Sequence, residues 1–571
     1  MKKILEYIKP LYLRMFIGFL IKLVGTVMDL AIPWILAHMI DEVVPTENRG
    51  AIFLWGIVMA VCAVIALLGN VIANRRASAV SRDATRRIRH DLYEKIEHLS
   101  AGQLDEITIP SLISRLTTDT YNVNQTLGRI QRLGVRAPIL LVGGIFVTML
   151  LDIRLSLVLL ATIPFLALGV VLISRRGITL YAGVQQNVDG MVRTVRDSVT
   201  GIRVIRALSK GDYECARFRK DSERLSNSQI HADTVMAATD PMMQLILNLG
   251  LTAVVVCGAY WVNQGVTKPG SIIAFLTYFT IILNAMMSVN KMFVMVSQAT
   301  ASANRIAEVL NLPEEKPEGE YPPSPCKAGV VFENVSFSYA KPANGYDLEH
   351  LSFQLKKGQM LGVIGATGSG KSTLIQLLQR FYPVDSGAIY IEGTNINAME
   401  EESLHSLFGV AFQSDAFFLG TVYDNIDIGR GLPREDIIRG ARCAQAEPFI
   451  LATKEGYDHP VHAKAANLSG GQKQRLLIAR ALAGKPQILI LDDSSSALDY
   501  QTDAAVRNAI RENYPDTTLI LVAQRVSSVR NADQILVLDE GRTVGLGTHE
   551  ELMENCPLYR QIAKIQTGGE A

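Results

Sequence analysis

The run Gly365, Ala366, Thr367, Gly368, Ser369, Gly370, Lys371, Ser372 has the spacing G-x4-G-K-[ST]. Glycines at those places let backbone amides converge on a phosphate. The lysine adds a point charge at the β- and γ-phosphates, and the serine hydroxyl is a ligand for Mg2+. Far downstream, Ile488–Leu491 reads as a buried strand ending at Asp492, where a carboxylate can hold Mg2+ opposite the loop. Between the two lies Asn467 followed by Leu468, Ser469, Gly470, Gly471 and Gln472. A Ser and a Gly pair just before the helical run Lys473–Leu482 suit a second phosphate site at a helix N-terminus.

Such residues need a rigid frame, and the chain after residue 328 supplies its pattern. The apolar run Met360–Ile364 precedes the loop and the helical run Thr373–Phe381 follows it, the strand–loop–helix context the motif requires. Short β-type runs alternate with helical patterns over 329–571, which predicts an α/β domain. Residues 311–328 hold five prolines and several Glu and read as a linker.

Residues 1–310 follow another pattern. Ile52–Ile72, Ala137–Leu151, Leu155–Ser174, Pro241–Val262 and Ser271–Val289 are apolar windows of membrane-crossing length, and Met15–Met39 makes a sixth span despite Lys22 and Asp29. Asp152-Ile153-Arg154 reads as a tight hairpin, and Met1–Lys9 as a short surface helix rather than a cleaved signal peptide. Arg75–Arg136 holds eleven Lys and Arg, and Arg175–Asp240 is Arg-rich, so both long connections and the N-terminus are expected in the cytoplasm. Ile88, Leu92, Ile96 and Leu99 recur at helical spacing, as do Val184, Val188, Val192, Val195 and Val199. Spans two to five are therefore expected to continue as helices well beyond the bilayer.

Composition agrees. With 56 basic and 55 acidic residues the net charge is +1, which suggests no electrostatic grip on nucleic acid. A 49% hydrophobic, 19% charged chain is not disordered. Six isolated cysteines make neither a disulfide framework nor a zinc site. Length alone would suggest three or four soluble domains; the change in pattern near residue 311 gives two, a helical membrane half and an α/β half.

Phosphate loop, LSGGQ and strand-Asp in this order resemble the signature of ABC ATPases. With six preceding spans the whole chain resembles an exporter-type ABC half-transporter. The resemblance implies ATP as nucleotide, Mg2+ as metal, a lipid bilayer around the spans and a second half-transporter as partner. Each ATP would lie between one chain's phosphate loop, with Thr373 just beyond it, and the other chain's Leu468–Gln472. It further assigns Tyr339 to adenine stacking, Gln413 to contact with Mg2+ and water, and Ser496 to Asp499 to the loop following the strand carboxylates.

The chain departs from the family at three places. Asp493 stands where active members carry Glu, and a carboxylate drawn back by about an ångström costs on the order of 100-fold in rate. Gln524 replaces the histidine that contacts the γ-phosphate and cannot carry a proton at neutral pH. His462 and Ala463 replace the Gly and Glu of a loop that touches the membrane domain. The resemblance is thus to the degenerate-site subunit of heterodimeric bacterial multidrug exporters, in a bacterial plasma membrane, with hydrophobic or amphiphilic cargo. Lipid or peptide export, siderophore import by the same fold, and an ATP-gated sensor stay open as alternatives.

The resemblance also places coupling helices near Thr108–Arg115 and Ala207–Glu214. The last span's Phe275, Tyr278, Phe279, Asn284, Met286, Met287, Met292 and Met295, with Gln244 and Asn248, are candidates for a loosely specific cavity. Asp29 is open to two roles, substrate contact or helix packing, and Lys22 is expected to snorkel toward the interface.

Overall fold

The computed structural model describes residues 2–313, 329–339, 345–413, 416–494 and 497–567. It divides into two compact units. One contains the chain up to His98 with Ile107–Pro313; the other contains Leu99–Glu106 and the chain beyond the linker. Most of the expected linker, 314–328, and Ser496 lie outside the described residues.

The membrane unit is helical throughout. A short helix, Lys2–Ile8, leads into Tyr12–His38, and the second span runs unbroken from Arg49 to Glu97. Its most apolar window has a mean hydropathy of 2.8 yet is only 6% buried within the chain, the pattern of a membrane-crossing helix. The third span, Val135–Leu151, is approached through Ile109–Ser114, a π-helical turn at Arg115–Asp119, Thr120–Arg129 and a second π-helical turn. The fourth lies in Ile153–Thr200, and the fifth, Thr239–Asn263, continues from Gly211–Ala237. The last, Pro269–Leu310, also continues past its apolar window, an extension not expected from the sequence. Among the described residues, five helical stretches have the length and hydropathy to cross a bilayer, and Ile153–Leu166 is a shorter apolar stretch in the fourth span.

The hairpin at Asp152 has a local cause. The residue is extended (φ −159°, ψ 113°), and its carboxylate accepts from the amides of Arg154 (2.8 Å) and Leu155 (3.1 Å), capping the next helix. Its other oxygen accepts from Thr267 Oγ1 at 2.6 Å, tying this turn to the one before the last span. Asp152→Ala should cost about 1–2 kcal/mol, read as a lower unfolding midpoint in detergent, and Asp152→Asn should recover most of it.

Several expectations for the spans need correction. Lys22 does not snorkel: it is 3% exposed, and its ammonium turns inward to Asn74 Oδ1 at 3.1 Å. Phe275, Tyr278 and Phe279, expected at a cavity, are taken up in packing among the described residues. All three are buried between helices, with the Tyr278 hydroxyl donating to the Leu30 carbonyl at 2.5 Å. Their size is used for interhelical packing, where lipid gives no hydrophobic drive and van der Waals fit decides association.

The nucleotide unit is built on a six-stranded sheet with Met360–Gly365 near its middle. Gln534–Asp539 and Thr518–Val522 flank that strand in parallel; Ile488–Asp492 and Phe408–Ala411 follow on the Val522 side. Arg542–Gly547 closes the far edge antiparallel. These strands are buried on both sides and read as continuous apolar runs, as parallel strands must. A second, antiparallel sheet pairs Val330–Phe337 with Leu348–Leu355 and Ser386–Ile391.

Candidate nucleotide site

Sheet topology brings the site together. Four parallel strands end at Gly365, Val522, Asp492 and Ala411, and Val522 pairs with both Val363 and Asp492. The residues just past those ends are the phosphate loop, Gln524, Asp492 with Asp493, and Gln413. Residues widely separated in sequence thus meet at one sheet edge, where ligands bind in open α/β folds.

The phosphate loop is shaped by its glycines. A Cβ on Gly365 would lie 2.2 Å from the Leu538 carbonyl oxygen, and Gly370, with φ +95°, is left-handed where it opens the helix Lys371–Leu378. That helix is held by Leu374, Ile375, Leu377 and Leu378, each 0–1% exposed. Lys371 Nζ donates to the carbonyls of Gly365 (3.0 Å) and Ala366 (2.7 Å) and to Ser369 Oγ (3.5 Å). Burial lowers its pKa, opposed by the charges of Asp492 and Asp493. The Ser369 amide donates to the Ala366 carbonyl at 3.2 Å, closing the turn.

Ser372 Oγ lies 3.5 Å from Asp492 Oδ2. A hydroxyl, a carboxylate and, from Gln413, an amide oxygen are hard donors on one wall, which fits Mg2+. A cavity of about 320 Å3 joins them, lined by Thr367, Gly368, Lys371, Gln413, Asp493 and Gln524 among others. The open space over Gly368 and the convergent loop fit a triphosphate.

Asp493 is bound more tightly than a water-polarising carboxylate should be. Its Oδ2 accepts from Gln524 Nε2 at 2.8 Å and from Gln413 Nε2 at 3.1 Å. Its backbone is left-handed (φ +47°), with its amide donating to the Val522 carbonyl at 3.0 Å. Burial pushes the Asp493 carboxyl above its usual range, opposed by the amide of Gln413, Lys371 and Arg525. Asp492 is also raised, first by burial and then by Asp493.

Tyr339 is half exposed and meets the Tyr382 ring edge-on at 5.1 Å; its hydroxyl donates to Gln376 Oε1. Thr373, 7% exposed, faces the same hydroxyl at 3.4 Å. Asp347, Gln376 and Tyr382 were not singled out by sequence. They surround Tyr339 through the sheet and helix packing, and no fixed spacing marks them.

The second candidate phosphate site does not join this cavity. Ser469 caps the helix Gly470–Ala483: its Oγ accepts from the Gln472 amide (3.4 Å), and Gln472 Oε1 accepts from the Ser469 amide (2.9 Å). Leu468 is partly buried against the core while Ser469 and Gly470 are exposed. Asp499 caps the helix Tyr500–Asn513 through Thr502 (amide 2.9 Å, hydroxyl 2.7 Å) and is not among the cavity's lining residues. His462 donates its amide to Asn467 Oδ1 at 3.0 Å, and Lys464 beside Ala463 is left-handed.

The two segments expected to couple, Thr108–Arg115 and Ala207–Glu214, both belong to the membrane unit. Leu99–Glu106, containing most of the helix Ala101–Ile107, groups with the nucleotide unit, and the Tyr382 hydroxyl donates to Asp105 Oδ2 at 2.5 Å. Thr108–Arg115 does not group with it. Left-handed Thr108 breaks the chain, and Arg115 turns to Glu308 (2.9 Å) and the Arg305 carbonyl (2.9 Å) of the last helix. Ala207–Glu214 spans an exposed turn of the membrane unit.

Comparison with known proteins agrees with this geometry. Residues 15–286 match the ABC transporter transmembrane region and residues 348–496 the ABC transporter domain. The ABC transporter ATP-binding protein YfiB of Bacillus subtilis is 34% identical over 571 residues, covering 100% of this chain and 99% of that one. The multidrug efflux ATP-binding/permease protein Rv0194 of Mycobacterium tuberculosis is 30% identical over 552 residues, 96% of this chain and 46% of its own length. A bacterial Atm1-family ABC exporter solved with ATP bound has the same fold, with a TM-score of 0.83 over 98% of this chain and 99% of that one at 24% identity. A helical membrane domain joined to an ATPase that drives transport makes this chain a member of the ABC transporter family.

Proposed function

We propose that the chain is one half of a heterodimeric exporter in a bacterial plasma membrane, moving hydrophobic or amphiphilic compounds outward. Its own phosphate-loop site binds Mg-ATP and hydrolyses it poorly. Its Leu468–Gln472 completes a competent site on the partner. The observation that carries this reading is the pair of glutamine amides on Asp493 Oδ2. A carboxylate shorter than Glu, capped by two donors, is a weak acceptor for the attacking water, and neutral Gln524 cannot relay its proton. The cavity keeps its lysine, serine and glycines, so binding is retained. The intact signature, with the N-terminus of its helix exposed at Ser469 and Gly470, is what a partner's site requires. Cargo of the multidrug class follows the name of the Mycobacterium tuberculosis relative. Mass spectrometry of the tagged chain purified from its native membrane tests the reading. A second half-transporter with Glu and His at the two positions should co-purify, and a fully active homodimer would refute it.

A further inference from the structure

Three connections along the chain join the two units, at residues 98–99, 106–107 and 313–314. Two of them lead within a few residues to one set of paired charges. Arg115 follows the helix Ile109–Ser114, which comes soon after the segment Leu99–Glu106 of the nucleotide unit. Glu308 stands just before the last helix of the membrane unit ends at Leu310. Arg115 Nη2 meets Glu308 Oε2 at 2.9 Å. About one turn on, Arg305 holds Asp119 with two nitrogens, Nε donating to Oδ2 at 2.8 Å and Nη2 to Oδ1. Further along, Asn122 Nδ2 donates to Ser302 Oγ at 3.1 Å. Arg89 of the second helix reaches the same turn through Thr120 Oγ1 at 3.3 Å. Asp119 is 1% exposed and Arg115 7%.

Buried ion pairs are weak evidence for stability, because taking both charges out of water offsets most of their attraction. What this set supplies is register. The two stretches pair in opposite directions, 115 to 119 against 308 to 305, and their signs are complementary: plus then minus on one, minus then plus on the other. A slip of one helical turn, about 5.4 Å, brings Arg115 against Arg305 in one direction and Asp119 against Glu308 in the other. Either slip sets like charges together, and the native register avoids both. The π-helical turn Arg115–Asp119 carries two of the four charges, and such turns recur at functional positions of helices.

We propose that Asp119 and Arg305, with Arg115 and Glu308, are positioning residues for transport. They hold the stretch that leaves Leu99–Glu106 to the last helix in one register, so a displacement of that segment by nucleotide is delivered to the last span. The segment is placed to feel nucleotide. Its Asp105 accepts from the Tyr382 hydroxyl, and Tyr382 meets the ring of Tyr339, whose own hydroxyl faces Thr373 of the nucleotide cavity. The four charged residues are not among that cavity's lining. Breaking the register therefore spares hydrolysis and removes its effect on the last span.

The test is a spin-label distance in the assembled transporter in phosphatidylcholine nanodiscs. The labels sit on Phe53→Cys and Val266→Cys of this chain, with its native cysteines replaced by serine. Phe53 is 72% exposed near the start of the second helix, and Val266 is 47% exposed just before the last. ATP with vanadate should shift that distance in the otherwise native transporter. Asp119→Leu combined with Arg305→Met removes the bidentate pair and keeps most of its volume, a change that buried pairs tolerate. It should cut the shift by about half or more while phosphate release stays within about twofold of native. Arg305→Gln, at a half-exposed side chain, should cut the shift as well, and Arg305→Lys should keep most of it. Should the apolar pair fail to assemble, Arg305→Gln decides alone. A full shift in either charge-removing variant reduces the pair to packing and overturns the proposal. So does a fall in phosphate release that matches the lost shift, and so does a native transporter whose labels do not move.

Discussion

Replacing Ser469 by Arg will lower ATP turnover of the assembled transporter by at least about 100-fold, the scale on which misplacing a reacting phosphate acts. Ser469 is exposed and caps the fourteen-residue helix Gly470–Ala483. An arginine there projects away from the folded core, so the chain still folds. It fills the space in front of the helix N-terminus where a phosphate would sit and removes the hydroxyl that faces it. In the proposed arrangement that phosphate belongs to nucleotide on the partner's loop, the site that turns over. Phosphate release by the purified pair measures the loss, and nucleotide bound to this chain's own loop should be unchanged. A variant with native turnover would mean that the competent site does not use this helix.

Lys371→Met should have its effect on binding. The lysine is held by the loop's own carbonyls and sits among Asp492, Asp493 and Ser372. Losing one charge-assisted contact weakens nucleotide affinity at this chain by about 10- to 100-fold. Photo-crosslinking with azido-ATP followed by separation of the two chains reads that loss on this chain alone. Because this site turns over poorly, hydrolysis should fall less steeply than labelling.

Much of this was legible in sequence because it depends on spacing. The phosphate loop, its strand and the carboxylate Asp492 are marked by local pattern, and the sheet then places them at one edge. The exchange of Glu and His for Asp493 and Gln524 was also legible. That both glutamines reach the same oxygen was not, since it depends on three strand ends meeting. Lys22 was misread because its long stem is compatible with snorkelling. Only the close Gly25–Gly69 crossing decides that it turns to Asn74. The aromatics of the last span were misread for a related reason: hydropathy does not say which face of a membrane helix meets lipid, cavity or neighbour. That Leu99–Glu106 groups apart from Thr108–Arg115 was not legible, because left-handed Thr108 and the Arg115–Glu308 pair are tertiary features without a sequence mark.

The central claim is that the two sites are unequal. Its most direct measurement is steady-state ATP hydrolysis by the purified pair with one carboxylate neutralised at a time. Asp493→Asn should leave turnover within about twofold of native, whereas Glu→Gln at the matching position of the second half-transporter should reduce it by about 100-fold or more. Abolition of turnover by Asp493→Asn, with the partner's change tolerated, would contradict the account.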